Sequence, residues 1–154
     1  MPRVTDRDAD ARGDATEDAP TVILDTNALM MPVELDVRVF DELDRVVGDA
    51  DLVGPRAVLA ELEKLADAGN GTEATAAAVG RDLADRCRVV GTDASYADDA
   101  VVELAVDAGD RSDDGAGDAG YAVTNDRPLR DRLLERGVRV IGLRGRTTLE
   151  ITEP

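Results

Sequence analysis

The chain has no histidine and a single cysteine, Cys87. This excludes an internal disulfide, a His/Cys zinc site and every catalytic dyad or triad that uses an imidazole. Chemistry is left to carboxylate, hydroxyl, amide and guanidinium groups. Carboxylates number 34 in 154 residues, so only position separates a working acid from a solvated one. Asp25 directly follows the apolar run Val22-Ile23-Leu24, and Asp126 follows Tyr121-Ala122-Val123-Thr124 across one asparagine. Asp98 and Asp99 open the most apolar helical stretch, where capping competes as an explanation: Ser95-Tyr96-Ala97-Asp98 has capping-box spacing, and acids favour a helix N-terminus. Glu61 and Glu63 each flank, by roughly a quarter turn, an apolar stripe of Val58, Leu59, Leu62, Leu65 and Ala66, and helix geometry alone does not separate them. Carboxylates gathered at one edge repel, and a cation is what holds them ionised together. Without nitrogen or sulfur ligands, the ions that suit such a cluster are Mg²⁺ and Mn²⁺. These ions activate water and stabilise charge on a phosphate, so metal-assisted phosphodiester hydrolysis needs no further type of catalytic group.

Short strands and helices must position these acids. Val22-Ile23-Leu24 predicts a first strand, and Val37 to Val47 a helix with Phe40, Leu43 and Val47 on one face. Leu52-Val53 predicts a second strand closed by Gly54-Pro55, leading into a helix that runs to about Ala68 and ends at Gly69-Asn70-Gly71. An alanine-rich helix from Thr72 to about Arg86 precedes a third strand, Arg88-Val89-Val90. Ala97 to Ala108 is apolar nearly all round, which predicts a buried helix stopped by Gly109. Tyr121 to Thr124 forms a fourth strand, Arg127 to Arg136 a helix with Leu129, Leu133 and Leu134 inward, and Val138 to Leu143 a fifth strand. The alternation predicts an α/β fold: a parallel sheet of four to five strands, helices on both faces, and ligands beyond the carboxyl ends of the strands. One domain is expected over 21–149, with a disordered acidic tail at 1–20, a flexible loop at 110–120 and a short tail at 150–154.

Seventeen arginines and one lysine, Lys64, stand against 24 aspartates and ten glutamates, for a net charge of −16. Periodic apolar blocks argue for a folded protein rather than a disordered one, and the composition resembles that of a halophilic protein. Molar salt shortens the screening length to roughly 3 Å, so an acidic surface there costs the fold little. The absence of a long apolar run and of a leader-like start predicts a cytoplasmic protein with no membrane partner. Against the acidic background, residues 127–146 hold seven arginines and only Asp131 and Glu135 as acids. Arg127 and Arg130 lie closest in sequence to Asp126 and are the candidates for phosphate contacts, since guanidinium forks suit phosphate. Pairing with neighbouring acids, such as Arg127 with Asp131, is the competing explanation.

Four segments resemble, in order, the motifs of PIN-domain nucleases: Val22-Ile23-Leu24-Asp25-Thr26-Asn27, Val58-Leu59-Ala60-Glu61-Leu62-Glu63-Lys64-Leu65, Tyr96-Ala97-Asp98-Asp99-Ala100-Val101 and Val123-Thr124-Asn125-Asp126. The resemblance runs from Thr21 to about Leu149. It implies a three-layer α/β/α sandwich around a central, mostly parallel sheet, a carboxylate cluster binding Mg²⁺ or Mn²⁺, endonucleolytic cleavage of single-stranded RNA, and a homodimer. Matched by position, it puts the acids on Asp25, Glu61, Asp99 and Asp126. Asp99 is taken over Asp98 because Ala100, Val101 and Val102 follow it directly. Asn27, Thr124 and Asp98 match supporting positions. The wording looks most like the archaeal and eukaryotic branch that processes ribosomal RNA. Two other readings stand beside it: the toxin of a toxin–antitoxin pair, partnered by an antitoxin, and a PIN-like RNA-binding or assembly module without catalysis. Aspartyl-phosphate receivers also place Asp at strand ends, but they use a lysine after the last strand, where this chain has Arg144 and Arg146.

Overall fold

Val22, Ile23 and Leu24 are all buried, so their strand is covered on both faces, as a central strand of a parallel sheet requires. The computed structural model describes residues 19–110 and 120–154; apart from their margins, the acidic front segment and the loop expected at 110–120 lie outside them. The element order is β1 (Thr21–Leu24), α1 (Thr26–Glu34), α2 (Val39–Val47), β2 (Asp51–Pro55), α3 (Arg56–Asp67), α4 (Thr72–Leu83), a short 3₁₀ turn (Ala84–Arg86), β3 (Arg88–Val90), α5 (Ala97–Asp110), β4 (Gly120–Val123), α6 (Arg127–Glu135), β5 (Arg139–Arg144) and β6 (Thr148–Thr152). The strands lie in the order β3-β2-β1-β4-β5-β6, the first five parallel and β6 antiparallel to β5. Helices cover the sheet in a three-layer α/β/α arrangement. The order reverses between β1 and β4, and a crevice at such a switch point is where open α/β sheets place ligands. Receiver domains run 2-1-3-4-5, so this order excludes the aspartyl-phosphate reading.

Three features depart from the sequence-based expectation. The sheet has six strands, not four to five, because Thr148–Thr152 pairs with β5 where a tail was expected to begin. Leu149 is buried, its N–H donates to Glu42 of α2 at 2.9 Å, and its carbonyl accepts from Arg45 at 2.8 Å, so the segment is stitched to the domain. Thr26–Glu34 is a helix that contains Pro32, a residue that normally ends or kinks one by removing a donor. Burial of Ala28, Leu29, Met30 and Met31 overrides that local penalty. Finally, α5 runs through Gly109 to Asp110 instead of stopping there. The close packing there depends on Gly120 of β4: a Cβ added to it would lie 2.7 Å from the Ala105 carbonyl and 3.3 Å from the Gly109 nitrogen, whereas one added to Gly109 would meet nothing within 4 Å.

Gly80 on α4 serves the same purpose against α1, since a Cβ there would stand 2.8 Å from the Leu29 carbonyl oxygen. Alanine would favour the helix by ~1 kcal/mol, but a backbone carbonyl cannot swing aside, and overpacking costs ~1–3 kcal/mol. Gly80→Ala is therefore expected to lower the melting temperature by ~2–6 °C; an increase on thermal unfolding would show that the two helices are not in tight contact. Leu149→Ala should destabilise by ~2–5 kcal/mol in a denaturant titration, whereas a true tail position would give no measurable change.

Candidate active site

Asp25 ends β1 and caps α1, so it sits at a strand's carboxyl edge and a helix's N-terminus together. It is 2% exposed, and Thr124 beside it is 1% exposed. Burial of an ion without partners is costly, and the neighbouring residues supply donors. The Thr26 N–H donates to Asp25 Oδ1 at 2.7 Å; Asn27 Nδ2 and Thr124 Oγ1 both donate to Oδ2 at 2.8 Å. Asn27 is held in turn by the Asn125 N–H, which donates to its Oδ1 at 2.9 Å, and Thr124 Oγ1 accepts from the Asp126 N–H at 3.1 Å. The supporting positions implied for Asn27 and Thr124 thus coincide with direct contacts to Asp25. All three donors are neutral, and burial outweighs them. It pushes the Asp25 carboxyl up to about 6, with the charges of Asp98 and Glu61 adding in the same direction.

Glu61 arrives from α3. The Thr26 hydroxyl, 35 residues earlier, donates to its Oε1 at 2.7 Å. The charge of Glu61 raises the pKa of both Asp25 and Asp98, which separates it from Glu63. Thr26 was not singled out from the sequence; its position between Asp25 and Asn27 was the only signal available. Asp126 caps α6, its Oδ2 accepting from the Leu129 N–H at 3.0 Å. At the start of α5, the two aspartates diverge. Asp98 has its pKa raised by burial first and then by the charges of Asp126 and Glu61, so it faces the other acids. Asp99 accepts from Arg132 of α6 at 3.0 Å in a half-exposed ion pair, and the charges of both partners reach Asp98.

Asp25, Glu61, Asp98 and Asp126 therefore share one electrostatic field at the switch point. Among the described residues no three acids converge closely enough to enclose an ion as they are placed. Their chemistry nevertheless suits a hard divalent cation: every donor is oxygen, and Asp25 is penalised by burial and like charge, which a cation would offset. On α6, Arg127 is exposed, with no ion pair among the described residues, so the anticipated pairing with Asp131 is not formed. Arg130 has a buried Nε without a hydrogen-bond partner and lies 4.0 Å from Asp131.

Among solved structures, the chain is similar to the PIN domain endonuclease Utp24, with a TM-score of 0.66 and 21% identity over 87% of this chain and 92% of that one. It also resembles VapBC2 from Rickettsia felis bound to a DNA fragment from their promoter, with a TM-score of 0.49 and 13% identity over 79% of this chain and 98% of that one. No curated protein sequence matches it. Among the described residues no helix is long and apolar enough to cross a membrane. A family model described as a PIN like domain matches residues 22–146, taking in β1 through β5 and every acid of the site, and on that match the chain belongs to the PIN-like domain family.

Proposed function

We propose that this protein is an endoribonuclease that uses Mg²⁺ or Mn²⁺ to cleave single-stranded RNA, with ribosomal RNA or its precursors as the substrate class. One observation carries the reading: four carboxylates from four separate elements share a field at the switch point, and one of them is buried and pre-oriented by three hydrogen bonds. We assign the metal-holding acids as Asp25, Glu61, Asp98 and Asp126. Asp98 replaces Asp99 in that set because Arg132 already engages Asp99. The bound ion would supply an activated water and offset charge on the phosphate. The protein's own part is positioning. Thr26, Asn27 and Thr124 fix Asp25; the Thr26 hydroxyl fixes Glu61; the Leu129 N–H fixes Asp126. Three of the four acids are thus held by hydrogen bonds, and binding an ion would still have to draw the four closer together. Arg127 and Arg130, in the first turns of α6 beside Asp126, are assigned to RNA phosphates. The ribosomal substrate class rests on the motif wording, and the acidic surface suits a cytosol at molar salt.

The test is a cleavage assay on single-stranded RNA in molar KCl with Mg²⁺. Asp25→Asn, Glu61→Gln, Asp98→Asn and Asp126→Asn should each lower the single-turnover rate by more than roughly a hundredfold, whereas Glu63→Gln and Asp99→Asn should stay near wild type. Mg²⁺ should also raise the melting temperature of the wild type and not that of Asp25→Asn, because only a folded, charged site binds the ion. Undiminished cleavage in excess EDTA would sink the metal mechanism.

Replacing Arg127 and Arg130 together with Gln should weaken RNA binding and reduce the log–log salt slope by roughly one unit. The rate at saturating RNA should fall much less. An unchanged salt series for the double variant would remove α6 from the RNA path.

A further inference from the structure

An open cleft of about 410 Å³ lies beside the acids, lined by Ala57, Ala60, Glu61 and Lys64 of α3 and by Ser95, Tyr96, Ala97 and Asp98 at the start of α5. That volume falls within the roughly 300–1,000 Å³ of small-molecule sites. Positions 57, 60, 61 and 64 follow the i, i+3, i+4, i+7 spacing, so one face of α3 forms one wall. Glu61 and Asp98 belong to this cleft and to the acid group alike, so the cleft continues the active site.

Three contrasts with the rest of the molecule mark it. The chain has three aromatic residues. Phe40 lies under the Arg86 guanidinium at 4.1 Å and Tyr121 under that of Arg139 at 5.5 Å. Tyr96 has no such cover and is 73% exposed, although burying an aromatic ring is strongly favourable. Next, Lys64 is the chain's sole lysine among 17 arginines, and among the described residues it has no ion pair despite the acidic surroundings. It sits about one helical turn, ~5 Å along the axis, past Glu61. Lastly, the wall between these two groups is alanine at positions 57 and 60, which leaves room and carries no charge.

We propose that this cleft is the subsite for the nucleotide flanking the cleaved bond, with its base stacked on Tyr96 and its outer phosphate held by Lys64. The proposal rests on the RNA-cleavage reading and deepens it. Single-stranded nucleic acid is bound in this way elsewhere, by aromatic faces that accept any base and cations that track the backbone. A ring held at 73% exposure offers a face ready to be covered. An ammonium group is a compact point charge for a phosphate that needs no bidentate geometry. Stacking on an aromatic face is tolerant of base identity, so the subsite takes purines and pyrimidines alike. Tyr96 and Lys64 act here on binding, and the bond-breaking groups remain the acids.

The experiment uses the full chain and fluorescein-labelled 12-nucleotide oligo(A) and oligo(U). Binding is followed by anisotropy in the Asp25→Asn chain with Mg²⁺, so that the RNA stays intact, and single-turnover cleavage is followed in the otherwise wild-type chain. Tyr96→Ala is expected to weaken binding of both RNAs roughly tenfold and to raise the half-saturating RNA concentration in cleavage by the same factor, with the maximal rate nearly unchanged. Tyr96→Phe should restore both, because the ring and not the hydroxyl is used. Lys64→Gln should lower the salt slope by about 0.7, the value for one contact to a single-stranded phosphate. Ala60→Leu, which fills the cleft and keeps both Tyr96 and Lys64, should weaken binding as well. If Tyr96→Ala and Lys64→Gln cut RNA with unchanged half-saturation, the subsite is wrong and the nuclease reading stands. If the wild type binds RNA without cutting it and Tyr96→Ala loses that binding, the nuclease reading falls and, with no cleaved bond to flank, the proposal stands only in its stacking of an RNA base on Tyr96. A Tyr96→Phe variant as weak as Tyr96→Ala overturns the stacking assignment.

Discussion

The molecule is organised around one buried carboxylate. Asp25 is almost fully removed from water, and a carboxylate in that position is tolerated only with donors at each oxygen. Two of the donors, Thr26 and Asn27, are local to the end of β1, but the third, Thr124, comes from the end of β4. Satisfying Asp25 therefore ties β1 and β4 together at their carboxyl ends. Backbone hydrogen bonds do the same next door: the Asp25 N–H donates to the Val123 carbonyl and the Thr124 N–H to the Ile141 carbonyl, both at 3.1 Å. None of the side-chain donors is a cation, so Asp25 is hydrogen-bonded but not neutralised. That deficit of positive charge distinguishes this buried acid from a structural ion pair, and it is what the divalent ion of the proposed function would offset.

The rest of the site follows from the same network. Thr26 works twice, through its N–H on Asp25 and its hydroxyl on Glu61, and so couples β1 to α3. Thr124 also works twice, donating to Asp25 and accepting from the Asp126 N–H, and so couples Asp25 to the cap of α6. Changes at either threonine are felt by two acids at once. Arg132 sits at the rim, where its pair with Asp99 removes one negative charge from those Asp98 must meet.

The arginines of the C-terminal third divide by partner. Arg139 pairs with Glu153 at 2.8 Å, and Arg144 lies 3.9 Å from Glu150, so both fasten the β5–β6 hairpin. Arg132 is committed to Asp99. Arg127 and Arg130, beside Asp126, are the members of the segment whose position next to the acids is matched by spare capacity for an anion. Exposed pairs of this kind contribute little to stability, about 0–1 kcal/mol each.

The alternation of short apolar runs with helical stretches was enough to establish an α/β fold with a parallel sheet, because burial on both faces and helical periodicity are local properties of the chain. Position after a strand marked Asp25 and Asp126, and the four motifs pointed to the PIN-like family that the comparison shows. Elsewhere local pattern was insufficient. A proline hid α1, a glycine suggested a stop that α5 runs past, and a five-residue strand at the C-terminus looked in part like a tail until its partner β5 and its anchors on α2 were in place. Helix geometry alone did not separate Glu61 from Glu63, and only the resemblance chose Glu61 and took Asp99 over Asp98. Positions 98 and 99 differ by about 100° of rotation and positions 61 and 63 by about 200°, while the groups that engage these acids, Thr26 for Glu61 and Arg132 for Asp99, lie 35 and 33 residues away. Residue type and order determined which kinds of group could act; only the tertiary structure, by bringing distant donors and charges to them, decided which of those acids face one another.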